Sequence, residues 1–325
     1  MRAMRFAQYG DPDVLVPADL PVPDPGPGQV RIQVAYAGVN FAEVMFRRGQ
    51  IPVGLPHVPG LEVTGIVTAV GAGVTSLAPG QRVAALTLDG GGYAEQVLAR
   101  ADLTLPLGGP LAALSPVLAA AFPCSVTTAW GVLHSAARLA PEESVLIAAA
   151  AGGVGTAAAQ IARLHGAGKV LGAVGSADKR AYAASFGYDE VGEYATVADL
   201  VARHADGGVD VVLDSVGGTA REEFPRLLRP LGRQVIFGDA SDRDASVAAN
   251  NLWFGCYTLA GYNLGNLAHR APRLLSGHLG QAADLVARGA VRIDITEFDL
   301  ADAAKAHRVL GDRASTGKLV LKVGD

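Results

Sequence analysis

The chain has 325 residues, half of them hydrophobic and 18% charged, with a formal net charge of −4. That length holds two domains with their own cores, and the composition excludes a disordered chain. So weak an acidity gives no electrostatic ground for a nucleic acid or an anionic membrane as partner.

The opening residues, MRAMRFAQYGDPDV, have no apolar core before a small-residue cleavage site, so no secretory signal is read there. Two long stretches carry no formal charge, Leu103 to Ala137 and Ser144 to Ala162. The first is broken by Pro106, Pro110, Pro116 and Pro123, and the second is mostly Ala and Gly, so neither reads as a membrane span. A cytoplasmic enzyme is expected. Cys124 and Cys256 are the only cysteines and lie in apolar surroundings. They read as small core residues, and two cysteines cannot build a disulfide framework or a Cys-rich structural zinc site.

Residues 1–122 read as all-β. Val30 to Ala35, Val63 to Val70 and Arg82 to Leu88 are strand candidates, separated by Gly- and Pro-rich turns. Short strands at regular spacing suggest a small barrel or sandwich. From Pro123 the texture changes. Strands are predicted at Val145 to Ala148, Val170 to Val174, Val209 to Asp214, Arg233 to Phe237 and Tyr257 to Tyr262. Helices at Thr156 to His165, Lys179 to Phe186, Ala198 to Ala205 and Thr219 to Leu228 separate the first four. Such alternation argues for a doubly wound parallel sheet spanning 123–264. Residues 265–325 hold an amphipathic helix (Leu275 to Arg288), a strand near Ile293 to Phe298, a helix (Ala301 to Leu310) and a last strand (Lys318 to Val323). They are expected to return to the first domain.

Within this α/β pattern, Ser144 to Ala162 reads as strand, Gly-rich turn and helix. A dinucleotide site needs that order, because the helix N-terminus offers its free N–H groups and positive dipole end to a pyrophosphate. The turn is Ala150-Ala151-Gly152-Gly153-Val154-Gly155, with Ala150 in place of the first glycine of G-x-G-x-x-G. Gly152 is expected to let the backbone approach the phosphates, and Gly155 to let the helix pack close to the strand. The plainer alternative is a tight turn between two buried elements. An NAD-preferring site places an acid at the end of the second strand, about 20 residues on. Here the residues are Gly175-Ser176-Ala177-Asp178-Lys179-Arg180. Ser176, Lys179 and Arg180 suit a 2′-phosphate, so NADPH is expected, with Asp178 the one residue that could instead reach the ribose.

The chain then resembles the medium-chain dehydrogenase/reductase superfamily, in its zinc-independent quinone oxidoreductase branch, which includes zeta-crystallin. Five segments carry the resemblance: Gly38-Val39-Asn40-Phe41, Pro59-Gly60-Leu61-Glu62-Val63-Thr64-Gly65, Ala149 to Gly155, Asp214-Ser215-Val216-Gly217 and Arg313-Ala314-Ser315-Thr316-Gly317-Lys318. It implies a Rossmann domain inserted into a GroES-like β-barrel catalytic domain, with the active site in the cleft between them. It also implies NADPH-dependent reduction of a quinone, an enone or an enoyl thioester, in a homodimer or homotetramer. Zinc-dependent relatives have Cys at the place of Asn40 and His at the place of Leu61, so no metal is expected, and His57 alone does not replace them.

Further roles come by resemblance, position by position. Asn40 matches the Asn beside the nicotinamide and is the candidate donor to the substrate oxygen; otherwise it caps a turn. Thr127 matches a Thr beside the nicotinamide ribose, or caps a helix. Tyr194 matches a Tyr at the adenosine end, or covers a sheet edge. Ser215 is expected to line the dinucleotide site. Phe237, Gly238 and Asp239 resemble the loop that holds the carboxamide. Arg313 resembles an Arg that reaches the cleft, or is solvated beside Asp312. Many of these reductases carry a Tyr five residues after the Asn; Met45 stands there, which leaves the proton source open, solvent included. Glu43 either takes part or pairs with Arg47 one helical turn on. Arg47 and Arg48 would suit the alternative of an enoyl-thioester (CoA or ACP) reductase. A third possibility is an NADPH-binding protein with little catalysis. Trp253, Phe254, Tyr257 and Tyr262 read as core or as a dimer interface along an apolar edge strand, Cys256 to Leu264, which favours a homodimer.

Overall fold

The computed structural model describes residues 1–324. In chain order the strands are β1 (Arg2–Arg5), β2 (Val16–Asp19), β3 (Gln29–Val39), β4 (Glu62–Val70), β5 (Arg82–Leu86), β6 (Gln96–Arg100), β7 (Thr104–Pro106), β8 (Ser144–Ala148), β9 (Lys169–Val174), β10 (Glu190–Glu193), β11 (Val209–Asp214), β12 (Leu228–Ile236), β13 (Thr258–Gly261), β14 (Ile295–Asp299) and β15 (Lys318–Lys322). The α-helices are α1 (Phe41–Arg48), α2 (Pro116–Ala121), α3 (Ser125–Gly131), α4 (Gly153–Leu164), α5 (Arg180–Ala184), α6 (Val197–His204), α7 (Gly218–Glu223), α8 (Ala249–Gly255), α9 (Leu264–Arg270), α10 (Pro272–Ala287) and α11 (Ala303–Gly311). They group into two compact units, Met1–Thr127 with the segment from Leu264 onward, and Thr128–Asn263.

The first unit is built on β3. This 11-residue strand pairs antiparallel with β4 along one edge. Its other edge is shared, by β6 at the N-terminal half and by β15 at the C-terminal half. β14 adds in parallel to β15, so the C-terminal segment completes a sheet begun near the N-terminus. Phe6, Val30, Ile32, Val63, Val83, Tyr93, Leu319 and Leu321 fill the core beneath it.

This unit is not all-β: α1 and α2 interrupt it. Asn40 takes the N-cap position of α1, and the Glu43 carboxylate accepts the Asn40 backbone N–H at 2.9 Å. Gly49, in the left-handed region at φ 79°, ends the helix. A cap and a stop with eight residues between them were hidden in a stretch whose apolar spacing is strand-like elsewhere.

The second unit is a six-stranded parallel sheet in the order β10-β9-β8-β11-β12-β13. Counted from β8, that is 3-2-1-4-5-6, the order of a dinucleotide-binding Rossmann sheet. β8, β9 and β11 are buried on both faces, as Leu146, Ile147, Leu171, Val211 and Val212 require. β10 escapes sequence reading because its four residues begin and end with Glu. α4 packs onto β8 because Gly155 has no side chain: a Cβ there would lie 2.4 Å from the Ala149 carbonyl oxygen.

The cysteines are not core residues, and the aromatic cluster divides. Cys256 is exposed, and Cys124 is only half-buried. Trp253 and Phe254 are 72% and 75% exposed and stack on each other, whereas Tyr262 is buried. α8 buries none of its seven residues and carries the two rings outward.

Candidate active-site residues

In the first unit the end of β3 brings Asn40 against two charged residues that open neighbouring strands, Glu62 of β4 and Lys318 of β15. Lys318 Nζ donates to Asn40 Oδ1 at 2.6 Å and to the Val39 carbonyl at 3.1 Å. It pairs with Glu62 Oε1 at 2.5 Å, and the same oxygen accepts Asn40 Nδ2 at 2.8 Å. Glu62 Oε2 accepts the Cys124 backbone N–H at 2.7 Å. The pair is buried, with Glu62 0% and Lys318 3% exposed. Gly38 makes room for it, since a Cβ there would sit 2.3 Å from Glu62 Oε1. Sequence reading quoted Glu62 and Lys318 in motifs and gave them no role. The available signal was a lone charge opening each of two apolar strands that the topology brings together.

Below this cluster lies a second one. Glu43 accepts the Leu61 N–H at 2.8 Å and the Tyr93 hydroxyl at 2.5 Å, and Tyr93 meets His307 Nε2 at 3.1 Å. All three side chains are buried. Burial pushes the Glu43 carboxyl up to about 7, against hydrogen bonds from Tyr93, Asn40 and Leu61 that hold it down. Burial likewise lowers His307 to about 3. The expected Glu43–Arg47 pair does not form. Arg47 is fully buried and turns its guanidinium to the Gly10 carbonyl, so it offers nothing to a phosphate-bearing substrate. Arg48 is exposed at the end of α1. Met45, also on α1, is half-buried. His57 packs against Phe6 and Phe46.

In the second unit the Gly-rich turn runs from Ala149, at φ 52°, to Gly152 at the N-cap of α4. The first-turn N–H groups of Gly153, Val154 and Gly155 have no partner within the helix by construction. Tyr194 comes to the same turn: its hydroxyl accepts the Ala149 N–H at 2.8 Å. Ser176 and Lys179 lie half-buried just past β9. Arg180 is exposed, and its Nε donates to the Val191 carbonyl of β10 at 2.9 Å.

The strand ends of β11 and β12 bring Ser215 and Gly238 together: the Ala240 N–H reaches the Ser215 carbonyl at 3.1 Å, and a Cβ on Gly238 would lie 3.0 Å from that same oxygen. Buried Asp214 organises this corner through Arg221, whose Nη2 also donates to the Gly238 carbonyl at 2.5 Å. Phe237 donates its N–H to Asp214 O at 2.9 Å, and Asp239 Oδ1 accepts the Ser241 hydroxyl at 3.1 Å. In the first unit Thr127 is fully buried with a hydroxyl that has no hydrogen-bond partner. Arg313, with φ 57°, is exposed beside Asp312.

A catalytic zinc does not fit the residues present. Leu61 is an aliphatic side chain, and the Asn40 amide oxygen is already bonded to an ammonium, whose charge opposes a second cation. No group of three or more His, Cys, Asp or Glu side chains among the described residues could hold a metal ion.

An exchange of hydride with a dinucleotide is the chemistry such a Rossmann unit supports, which makes the class an oxidoreductase. The zinc-binding dehydrogenase family model matches residues 153–277, and the alcohol dehydrogenase GroES-like domain model matches 26–109. A Pseudomonas aeruginosa quinone oxidoreductase is 36% identical over 98% of this chain and 99% of its own length. The Escherichia coli quinone oxidoreductase, solved complexed with NADPH, superposes with a TM-score of 0.92 at 30% identity, covering 99% of this chain and 100% of that one. The chain is also 36% identical to the Mycobacterium tuberculosis phthioceranic/hydroxyphthioceranic acid synthase, over 92% of its own length but only 14% of that protein's. The chain belongs to the medium-chain dehydrogenase/reductase superfamily, in its quinone oxidoreductase branch.

Proposed function

We propose that the chain catalyses NADPH-dependent, zinc-independent reduction of a quinone or an α,β-unsaturated carbonyl. The observation that carries this reading is the full-length likeness to quinone oxidoreductases, one of them complexed with NADPH. Bound NADPH supplies the hydride; the oxygen of the acceptor takes the negative charge, and a proton from solvent completes the reduction. Gly152 to Gly155 and the N-terminus of α4 receive the pyrophosphate. Ser176, Lys179 and Arg180 meet the 2′-phosphate, and Tyr194 the adenosine end. The unsatisfied Thr127 hydroxyl bonds the nicotinamide ribose. Ser215, Phe237, Gly238, Asp239 and Arg313 complete the cofactor contacts. Asn40 keeps one Nδ2 hydrogen beyond its bond to Glu62, and that hydrogen donates to the developing oxyanion.

The test is stopped-flow NADPH oxidation against 1,4-benzoquinone, 9,10-phenanthrenequinone, a simple enone and crotonyl-coenzyme A. Fast turnover of quinone or enone supports the reading. Preference for crotonyl-coenzyme A favours the second reading, an enoyl-thioester reductase, which the likeness to one segment of the phthioceranic/hydroxyphthioceranic acid synthase supports. Tight NADPH binding without turnover of any acceptor leaves a binding protein.

We place the protein in the cytoplasm as a homodimer. A chain with only two cysteines suits a reducing compartment. Among the described residues β13 pairs only with β12 and leaves an open sheet edge that a second copy would cover. Light scattering that returned a monomer mass would remove the dimer.

A further inference from the structure

We propose that Lys318, held by Glu62, is a positioning residue for hydride transfer: it fixes the orientation of the Asn40 amide and strengthens the amide hydrogen left for the substrate oxygen. The inference rests on the hydride-transfer reading and assigns its electrostatics to this chain's own residues.

The orientation of an Asn amide follows from its neighbours. An ammonium only donates and a carboxylate only accepts. The Asn40 atom facing Lys318 is therefore Oδ1, and the atom facing Glu62 is Nδ2. Nδ2 has two hydrogens, and Glu62 takes one. The other is the only donor that this side chain has left. Without Lys318 the amide could turn over and present its oxygen, which repels an oxyanion.

Lys318 cannot serve the substrate itself. An ammonium has three hydrogens, and Val39 O, Asn40 Oδ1 and Glu62 Oε1 account for three acceptors at 3.1, 2.6 and 2.5 Å. It is also 3% exposed. Its charge reaches the substrate only through Asn40. A cation on an amide oxygen draws electron density from nitrogen and makes the remaining N–H a better donor, as hydrogen bonds in a chain polarise one another. Stability alone does not account for the pair, because a buried ion pair is usually matched or exceeded in stability by apolar residues of similar volume. Gly38 leaves room for Glu62, and the Cys124 N–H holds its Oε2, so the carboxylate that faces the lysine is itself held in place. The assembly sets an ammonium on the amide oxygen of a metal-free site, one amide away from the reacting oxygen, with its charge balanced by Glu62.

The test compares Lys318→Met, the charge-neutral double variant Glu62→Gln/Lys318→Met, Lys318→Arg, Asn40→Ala, and Asn40→Ala added to the double variant. The double variant guards against misfolding caused by an unpaired buried Glu62. With saturating NADPH and the best acceptor of the panel, kcat falls about 10–100-fold in the double variant, while KM stays within about threefold. Lys318→Arg recovers part of the loss. Asn40→Ala on the double background costs no more than about twofold further, because the two changes act on one donor. The Asn40 side-chain amide protons, identified by their absence from the Asn40→Ala spectrum, move upfield in the double variant. Full kcat in the double variant, or losses of Asn40→Ala and the double variant that multiply, overturns the proposal while leaving the reductase reading intact. Unmoved amide protons overturn it in the same way. A wild-type protein that turns over no acceptor overturns both.

Discussion

Tyr93 donates a 2.5 Å hydrogen bond to Glu43 with both side chains wholly buried, one from the loop before β6 and one from α1. Burial holds the Glu43 proton until about pH 7, whereas the unfolded carboxyl, at 4.5, has already lost it. The folded state binds the extra proton between those values. Stability from this group is therefore whole below about pH 4.5 and is lost as pH rises through about 7, a change of about 3 kcal/mol. Glu43→Gln removes the titration. Urea unfolding at pH 5 and pH 8 is expected to show the wild type losing about 3 kcal/mol more than the variant over that interval. His307 acts at the other end: its share is present above 6.5 and lost as pH falls through about 3.

Gly277 sits in the interior of α10, exposed, with no atom within 4 Å of the place a Cβ would take. Its backbone is helical, so the glycine brings only the entropy cost of its freedom in the unfolded chain. Gly277→Ala is expected to stabilise the protein by about 0.5–1 kcal/mol. Thermal unfolding checks this, and an unchanged or lower Tm contradicts it.

On the proposed cofactor reading, Lys179 and Arg180 are expected to carry the preference for a 2′-phosphate unequally. Arg180 commits its Nε to the Val191 carbonyl and ties the turn to β10. Lys179→Ala is expected to weaken NADPH binding about 10-fold and to leave NADH within about twofold, the loss of one charge-assisted hydrogen bond. Arg180→Ala is expected to cost less selectivity and to lower the Tm. Calorimetric titration with both cofactors separates the two. Equal losses for NADPH and NADH on Lys179→Ala would remove Lys179 from the 2′-phosphate.

What the sequence made legible was whatever depends on local pattern. The buried strands of the parallel sheet are uninterrupted apolar runs, and Gly152 to Gly155 sits between one of them and a helix, so both were readable before any coordinates. What it hid depends on long-range pairing. Glu62 and Lys318 are 256 positions apart in the chain and meet only because β15 pairs with β3 beside β4. The Glu43–Tyr93–His307 cluster joins a helix, a loop and the C-terminal segment in the same way. Arg47 looked like a surface cation because an arginine in the last turn of a helix usually is one. Nothing local says that α1 turns that face inward.

Arg47 is the least comfortable charge in the structure. It is fully buried, burial lowers it to about 10, and its Nε and Nη2 have no hydrogen-bond partner. Only Nη1 is satisfied, by the Gly10 carbonyl. A buried cation with two unpartnered donors costs more than the single bond returns. Arg47→Met keeps the volume, removes the charge and leaves one carbonyl short of a donor. The substitution is expected to stabilise the protein by about 1 kcal/mol, a Tm rise of about 2 °C. It also separates this residue from substrate recognition. An arginine that read a phosphate on a coenzyme A thioester would raise KM for crotonyl-coenzyme A sharply when removed, whereas a purely internal one leaves KM within about twofold, below the loss of a single charged hydrogen bond. A lowered Tm together with a raised thioester KM would show that Arg47 reaches the substrate after all.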